Sequence, residues 1–353
     1  MRKTLIALAA LLSASPALPQ ASAAIAAGKA SPSPLAPSEI VAAAPKADWT
    51  AIPARDLLVM DLAPDAKGRP RRVVIQLMPP PFSQGWIGNI RLLAKAHWWD
   101  GMAVNRVQDN YVVQWGDPNA DDKAKAKELP TGLATVPESE YVAPVGRQEI
   151  VYKKVGSGYR PRNFLLRPGS NPYKMPVLPV DRGDDPYAGE TAFLRGWPVG
   201  LDVSETQTDK TMQLTGWPVH CYGMVGVGRD LSPNTGSGAE LYVVIGHAPR
   251  HLDRNIGLVG RVIEGIEYLS ALPRGHGALG FYDLTQGDER TAIISIRPGP
   301  EVKDLPGYEY LSTESASFAK YADARANRRD AFFIRPAGGA DVCNIPVPVR
   351  RVK

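Results

Sequence analysis

The sequence is poor in the residues that build covalent crosslinks, metal sites and nucleotide-binding loops. It has two cysteines and five histidines among 353 residues, and the histidines lack the paired spacing with cysteines or acidic residues that is typical of zinc ligands. A glycine-rich segment at 226–238 does not have the residue order of a phosphate-binding loop. We therefore expect no metal site and no cofactor.

Long apolar runs and concentrated charge are also missing. No run approaches the ~20 apolar residues that a membrane-spanning helix needs, so we expect no stable membrane anchor. The formal net charge is +5, and the longest charged cluster, residues 121–128, mixes both signs, as a solvated surface does. A nucleic-acid partner is therefore not expected.

The N-terminus has the order of features found in secretory signal peptides. Arg2 and Lys3 precede an apolar run at 5–12 and a small-residue triplet, Ala-Ser-Ala, at 21–23. This order predicts that residues 1–23 are a signal peptide cleaved at its end. The mature protein would then be periplasmic or secreted, and loss of the two basic residues would take the formal charge from +5 to +3.

Short β-type runs dominate the chain from residue 48 onward. They occur at residues 57–62, 72–78, 240–246, 256–262 and 290–297. A turn sequence at 65–68 predicts that the first two runs form a hairpin, and apolar residues at helical spacing predict helices at 85–99 and 263–272. Many short strands with two short helices indicate a mainly β fold, a closed antiparallel β-barrel with two capping helices.

Three further segments surround this barrel, which we place at residues 48–300. Residues 24–47 are rich in Ala, Ser and Pro, the composition of a linker. Residues 118–220 lose all periodicity among Pro, Gly and charged residues, so we expect a long loop-rich insertion. Residues 301–353 form a C-terminal extension, with a helix predicted at 315–328, that should pack on the core.

Two smaller features leave alternatives open. The tetrapeptide Gly-Trp-Pro-Val occurs at 196–199 and again at 216–219, which indicates either two equivalent edges on the barrel or a chance repetition. Cys221 and Cys343 are candidates for a disulfide in an oxidising compartment. Because two cysteines need not be neighbours in space, a bridge and two free thiols are equally compatible with the sequence.

The most informative stretch is AVNRVQDNYVVQWGD, residues 103–117, in which an arginine and a glutamine stand eight positions apart in an apolar run. The turn-prone pair Asp109-Asn110 divides this run into two predicted strands. Arg106 and Gln114 would then lie side by side across the turn. An arginine is most often a solvated surface residue, so its functional interpretation depends on its neighbours.

Four blocks together resemble the cyclophilin-type peptidyl-prolyl isomerases. They are RVVIQLMP, GWIGNIRLLAKA with Asn89, VNRVQDNYVVQWGD, and the series GMVGVGR, ELYVVIG and HLDRNIGLVGRVIEG. The resemblance covers residues 57–298, with 118–220 outside it. It implies the family's closed antiparallel barrel with two capping helices, extended here by the insertion and the C-terminal segment.

The resemblance also implies roles for particular residues. Arg106 would be the donor that polarises the X-Pro amide, and Gln114 would orient it and contact the substrate backbone. The residues that fall on the family's proline pocket are Tyr111, Val112, Tyr242 and Leu252, and the alternative for them is ordinary barrel core. Those that fall on positions contacting the residue before proline are Gly228 and Arg229. Glu240 stands where a glutamine is usual, and His251 replaces a pocket-rim aromatic residue.

These roles imply an exported, divergent bacterial isomerase that acts on proline-containing polypeptides, aids their folding and needs no cofactor. The altered pocket favours a second hypothesis, a binding or chaperone module of the same fold with weak or no isomerase activity. A third hypothesis is that the insertion and the C-terminal extension bind a partner protein and that the barrel serves as their scaffold.

Overall fold

The computed structural model describes residues 34–120, 122, 124–148, 153–155, 158–160, 185–205 and 212–352, so the predicted signal peptide lies outside the described residues. The strands are β1 (Trp49–Ile52), β2 (Leu57–Leu62), β3 (Arg71–Leu77), β4 (Ala103–Val107), β5 (Val112–Gly116), β6 (Ala143–Gln148), β7 (Lys153–Val155), β8 (Gly158–Arg160), β9 (Glu190–Leu194), β10 (Trp197–Glu205), β11 (Met212–Pro218), β12 (Met224–Val227), β13 (Leu241–Val244), β14 (Leu258–Glu264), β15 (Ile293–Pro298), β16 (Tyr308–Leu311) and β17 (Val349–Arg351). The helices are α1 (Pro37–Ala43), α2 (Gln84–Lys95), α3 (Glu267–Ser270) and α4 (Ala316–Ala326). Single turns of 3-10 helix lie at Lys46–Asp48, Ala54–Asp56, Glu138–Tyr141, Arg250–Leu252, Ala278–Gly280, Leu284–Gln286, Gly299–Glu301 and Val342–Asn344.

Eight antiparallel strands form the predicted barrel, in the order β15-β2-β3-β14-β12-β13-β5-β4. The two end strands are joined where Val104 N donates to Thr291 O at 2.9 Å and Ile293 N donates to Met102 O at 2.7 Å. The barrel is thereby nearly closed, and the mainly β fold that the sequence predicts is confirmed. Its interior is filled by alternating apolar residues of the strands and by the buried face of α2, which includes Trp86 and Ile90.

Helix α2 ends four residues before the predicted position. His97 adopts a left-handed conformation (φ 53°), its amide donates to Ala94 O at 3.1 Å, and the amide of Trp98 donates to Leu93 O at 3.0 Å. This is the Schellman arrangement that closes many helices. The chain then turns Trp98 and Trp99 back into the core. These two apolar residues continue the helical spacing beyond the end of α2, which is why the sequence predicts a longer helix.

The second predicted helix is also shorter than expected. Strand β14 continues to Glu264, and Gly265 (φ 83°) then redirects the chain. A Cβ at Gly265 would lie 2.1 Å from the carbonyl oxygen of Arg72, so this close turn requires glycine. Helix α3 is therefore a single turn, and the residues before it belong to the barrel.

The described part of the insertion contains a four-stranded sheet, which the prediction of a loop-rich segment did not include. Strands β6, β11, β10 and β9 pair in that order, all antiparallel. These strands contain proline and glycine, which are uncommon in strands. Pro198 pairs with Phe193, and Gly200 pairs with Trp217, whose indole occupies the space that a side chain at Gly200 would take. The two Gly-Trp-Pro-Val copies lie on the paired strands β10 and β11.

The segments before and after the barrel pack on each other. The predicted linker, residues 24–47, differs from expectation because α1 lies within it and packs against α4. Ser315 caps α4 by accepting from the amide of Phe318 at 3.0 Å, so the extension's helix begins where the sequence predicts. Strand β16 pairs with β1 on one side and β17 on the other, which joins the extension to the start of the barrel.

Two features fasten the insertion and the extension to the barrel. A disulfide joins Cys221 to Cys343, 122 residues apart, with Cα atoms 5.1 Å apart. Arg261 of β14 donates to Gln76 Oε1 in the barrel at 2.9 Å and to Gly196 O in the insertion at 2.8 Å.

The Arg261 guanidinium is otherwise surrounded by aromatic rings. It lies 4.5 Å from the ring centroid of Trp197 in the insertion and 5.9 Å from that of Tyr310 in the extension. Burial lowers the pKa of Arg261 to about 10, so the group stays cationic at neutral pH. Among the residues that the structure describes, no helix is long and apolar enough to cross a membrane.

Candidate active site

Arg106 and Gln114 lie side by side on the hairpin formed by β4 and β5. The Asp109-Asn110 turn, with Asn110 at φ 50°, separates the two strands as the sequence predicts. The Cα atoms of Arg106 and Gln114 are partners in the antiparallel register, and Arg106 Nη1 donates to Gln114 Oε1 at 3.0 Å.

The register continues this pair into a row across four strands. Gln114 of β5 is the partner of Tyr242 on β13, and Tyr242 is the partner of Gly226 on β12. Because directly opposed residues of antiparallel strands share one face of the sheet, the row from Arg106 to Gly226 lies on one surface of the barrel.

The Arg106 guanidinium is held from several sides. Its Nε donates to the carbonyl oxygen of Leu279 at 2.7 Å, and its Nη2 donates to Gln108 Oε1. The rings of Tyr111 and Phe281 lie near it, with centroids 5.6 and 5.3 Å from Cζ. The side chain is half-buried, and the arrangement fixes the direction in which it presents its remaining donors.

Burial and neighbouring charges shift the pKa of Arg106 in opposite directions. Desolvation is the larger effect and lowers the pKa of Arg106, while the nearby Tyr111 and Glu240 raise it. A guanidinium remains charged throughout the neutral range. Partial burial strengthens the field of this charge at the sheet surface, because less water screens it.

Glu240 acts on Arg106 through Gln114. Gln114 Nε2 donates to Glu240 Oε1 at 2.6 Å, while Gln114 Oε1 accepts from Arg106. The Glu240 side chain lies over two glycines: a Cβ at Gly228 would be 2.8 Å from its Cγ, and one at Gly116 would be 3.1 Å from it. The amide of Gln114 is therefore oriented by a carboxylate on one side and a guanidinium on the other.

The predicted proline-pocket residues largely come together. Val112 and Tyr242 form a buried cluster with Val244, and Tyr111 and Ile256 pack against it. Gly226 lies beneath the Tyr242 ring, because a Cβ there would be 2.3 Å from the Tyr242 hydroxyl oxygen. Leu252, half-buried, and His251, exposed, lie on the adjacent turn Arg250–Leu252.

Gly228 and Arg229 follow β12 and precede the segment 231–237, which forms one wall of a cleft of about 570 Å³. Its walls are residues 129–136 and 231–237, and Asn89 of α2 donates to both, at Ala134 O and Ser237 O. Arg229 is turned away along the chain and donates to the carbonyl oxygens of Asn255 at 2.9 Å and Asp230 at 2.7 Å.

Sequence reasoning missed the residues that approach the site from distant parts of the chain. Leu279 and Phe281, which hold Arg106, lie in a segment without any motif. His220 is recognisable in the sequence only as one of five histidines, yet its ring is fully buried and its Nε2 lies 2.8 Å from the Tyr242 hydroxyl. No spacing rule connects these residues with the strand hairpin.

His220 is held in turn by Asp253. The Asp253 Oδ1 lies 2.9 Å from His220 Nδ1 and also accepts from the His220 backbone amide at 2.9 Å. Burial lowers the pKa of His220, and the carboxylate of Asp253 opposes this effect. Burial also raises the pKa of Tyr242 well above its usual range. Both rings are therefore neutral at neutral pH.

Within the described ranges, no group of three or more His, Cys, Asp or Glu side chains is arranged to hold a metal ion. The donors beside the apolar cluster are the guanidinium of Arg106 and the amide of Gln114. Such an arrangement is suited to binding and twisting an amide.

Comparison with known proteins agrees with this geometry. The family model described as cyclophilin type peptidyl-prolyl cis-trans isomerase/CLD matches residues 85–280, which is more than half of the chain. The protein is thus an isomerase by class. It belongs to the cyclophilin-type peptidyl-prolyl cis-trans isomerase family.

A solved cyclophilin structure has the same fold. The crystal structure of cyclophilin AquaCyp293 from Hirschia baltica is 18% identical, with a TM-score of 0.59 over 86% of this chain and 93% of that chain. A Cryptosporidium parvum cyclophilin-type isomerase crystallised with the dipeptide Ala-Pro is 10% identical, with a TM-score of 0.34 over 68% of this chain and 98% of that chain, too low to support any argument. Among curated proteins the sequence has no match.

Proposed function

We propose that this protein catalyses rotation about X-Pro peptide bonds of exported polypeptides and so aids their folding, with Arg106 as the catalytic donor. The observation that carries the proposal is the fixed guanidinium of Arg106 beside Tyr111, which packs against the buried apolar cluster of Val112, Tyr242 and Val244. Membership of the family supports the reaction class. The residue roles below are our assignment.

The reaction suits these residues. Rotation must overcome the partial double-bond character of the peptide bond, a barrier of about 18 to 20 kcal/mol. A hydrogen-bond donor can draw electron density from the substrate carbonyl, or it can bond to the prolyl nitrogen as this atom becomes pyramidal. Either interaction stabilises the twisted amide more than the planar one. Catalysis is then preferential binding of the transition state.

Arg106 has donors to spare for this task. A guanidinium carries five N–H groups, and its hydrogen bonds to Leu279, Gln114 and Gln108 use three of them. The held orientation lowers the entropy lost when a substrate binds, because the side chain is already in place. Gln114 sits beside the donor and would contact the substrate backbone.

The remaining site residues would bind the substrate on either side of the bond. Tyr111, Val112, Tyr242 and Leu252 would hold the proline ring, with His251 at the rim. Gly228 and Arg229 would contact the residue before proline, and the cleft beside Gly228 offers room for the chain that precedes it. Glu240 would act indirectly, by orienting the amide of Gln114.

The test compares the proline isomerisation rate with and without Arg106. Exchange between cis and trans forms of a short Ala-Pro peptide is followed by NMR in the presence of the purified protein. Loss of one preorganised donor costs about a hundredfold in rate, so we expect Arg106→Ala to approach the uncatalysed rate. Arg106→Lys should recover little, because an ammonium lacks the planar fork of donors.

Arg55→Ala, at an exposed arginine of the turn Ala54–Asp56, is the matched control and should leave the rate unchanged. A wild-type protein that does not accelerate exchange, or an Arg106→Ala variant that remains fully active, refutes the catalytic assignment. Peptide binding without acceleration supports the second candidate, a binding or chaperone module. The observation that favours that candidate is the carboxylate of Glu240 bonded to Gln114.

We also propose that the protein is exported and works in the periplasm or outside the cell. Support comes from the signal-peptide pattern of residues 1–23 and from the Cys221–Cys343 disulfide, since disulfides persist in oxidising compartments. N-terminal sequencing of the protein recovered from its producing cells should begin at Ala24. Recovery of an intact N-terminus in the cytoplasm would contradict the proposal. Partner binding by the insertion stays a prediction.

A further inference from the structure

A chain of buried polar groups runs from the proline pocket to the insertion. It begins at the Tyr242 hydroxyl, passes through His220 and Asp253, and continues to Arg250, whose Nε donates to Asp253 Oδ2 at 2.7 Å. Arg250 then donates to both oxygens of Asp185 in the insertion, each at 3.0 Å. None of the three central side chains is more than 4% exposed.

The chemistry of the groups sets the direction of each hydrogen bond. The Asp253 carboxylate only accepts, so His220 Nδ1 carries the proton and donates to it. The other nitrogen, Nε2, is then an acceptor, and the Tyr242 hydroxyl donates to it. A neutral histidine in this single tautomer therefore holds the hydroxyl of a pocket residue.

The surroundings explain why Tyr242 needs such a partner. Its hydroxyl is buried, and a buried hydroxyl without a partner destabilises the fold. The ring also lies against Gly226, which has no side chain to restrain it. The His220 and Tyr242 rings lie nearly parallel, with an interplanar angle of 10° and centroids 6.4 Å apart, and the hydrogen bond fixes the position of the hydroxyl end of the phenol.

Arg250 is held by parts of the chain outside the barrel strands. Besides Asp185, the ring of Tyr187 in the insertion lies 5.2 Å from its Cζ, and Asp341 of the extension lies 3.6 Å from its Nη1. Cys221, the residue after His220, is bonded to Cys343 in the extension. The position of His220 is thus fixed by the insertion and the extension together.

We propose that His220 is a positioning residue for the proline pocket: through its hydrogen bond it fixes Tyr242, and Asp253 and Arg250 connect it to the insertion and the extension. This inference rests on the proposed function, because it assigns Tyr242 to the pocket that holds proline. It gives the insertion a role in shaping that pocket. His220 itself touches no substrate.

Two substitutions remove the hydrogen bond between His220 and Tyr242 with little other change to the structure. His220→Asn retains a donor close to the position of Nδ1 for Asp253 and removes the acceptor for Tyr242. Tyr242→Phe removes only the hydroxyl. A net hydrogen bond corresponds to about threefold to tenfold in an equilibrium, so each variant should lower kcat/KM by about that factor, mainly through a higher KM. His97→Asn, at an exposed histidine, is the matched control.

The double variant identifies the mechanism. Because Tyr242→Phe removes the hydroxyl that His220→Asn leaves without a partner, the double variant should be more active than His220→Asn alone. A purely structural role predicts lower unfolding temperatures with an unchanged KM wherever the variants are folded, and that result overturns the proposal. So does a wild-type His220 that NMR shows protonated on Nε2 rather than Nδ1.

Failure of the proposed function would give a different pattern. If the wild-type protein does not accelerate isomerisation, the same variants are compared by NMR titration with the Ala-Pro peptide. Weaker binding by both His220→Asn and Tyr242→Phe, relative to His97→Asn, then supports the positioning role although catalysis is absent. Unchanged binding overturns it.

Discussion

Removal of the Cys221–Cys343 disulfide should strongly destabilise the protein. The bridge links the start of β12 to the C-terminal extension across 122 residues of sequence. We choose alanine at both positions, because Cys221 is buried and serine would bury a hydroxyl group there. The double variant keeps the packing close to native and removes the crosslink.

The magnitude follows from the length of the closed loop. In the chain-entropy description a crosslink stabilises by restricting the unfolded state, and a separation of 122 residues corresponds to about 5 kcal/mol at 25 °C. With a urea m value of about 3 kcal/mol/M, this loss lowers the unfolding midpoint by about 1.7 M. The m value should rise, because an uncrosslinked unfolded chain exposes more surface.

Urea unfolding followed by tryptophan fluorescence measures both quantities. Reducing agent should lower the midpoint of the wild-type protein to that of the alanine variant and should leave the variant itself unchanged. A loss of free energy of unfolding below about 1 kcal/mol would refute the reasoning from loop closure. Mass spectrometry of the non-reduced protein shows independently whether the two cysteines are joined.

Three other changes test the site. In Glu240→Gln the new amide oxygen can still accept from Gln114 Nε2, while the negative charge that partly neutralises Arg106 is removed. We therefore expect kcat/KM on an Ala-Pro peptide to rise by up to about fivefold, the equivalent of 1 kcal/mol for a part-exposed charge interaction; a fall in kcat/KM would show that the charge of Glu240 is itself needed at the site. Gly226→Ala places a Cβ 2.3 Å from Tyr242, so it should displace the ring and raise KM severalfold, and crystallography of the variant would show whether the ring moves. Burial lowers the pKa of His220 while the unfolded value is about 6.5, so the unfolded chain binds the proton more readily. The contribution of His220 to the free energy of unfolding is then complete above about pH 6.5 and declines as the pH falls below it. Urea unfolding between pH 8 and 5 should show a weaker decline in His220→Asn, and parallel curves would contradict the assignment.

The barrel was predictable where local sequence determines structure. The hairpin of β2 and β3 follows from its turn, in which Asp65 Oδ1 accepts from the amides of Lys67 and Arg69. The hairpin of β4 and β5 follows from the Asp109-Asn110 turn. Each pairs residues no more than 19 positions apart in the chain, so propensity and alternation carry enough information.

The insertion was not predictable, because its strands tolerate residues that strands usually avoid. Pro198 and Gly200 interrupt the β pattern of β10, and the indole of Trp217 fills the space that a side chain at Gly200 would take. The compensating partner lies on another strand. No local pattern in the sequence records that pairing.

The same limit applies to the candidate site. The proximity of Arg106 and Gln114 follows from one turn, and the sequence shows it. The carbonyl of Leu279 reaches Arg106 across 173 residues, and His220 reaches Tyr242 through a fold that encloses both. Contacts of this kind follow from tertiary packing, and a single sequence does not encode them in any readable spacing.

The buried guanidinium of Arg261 limits which segments of such a protein can be removed, either by engineering or during evolution. It bonds to the barrel at Gln76 and the insertion at Gly196, and it lies near the ring of Tyr310 in the extension. A chain that lost only the insertion would retain a cation in its interior with fewer partners, which is strongly unfavourable. The insertion and this arginine are therefore expected to be gained or lost together among relatives, and a minimal barrel would need an apolar residue in its place.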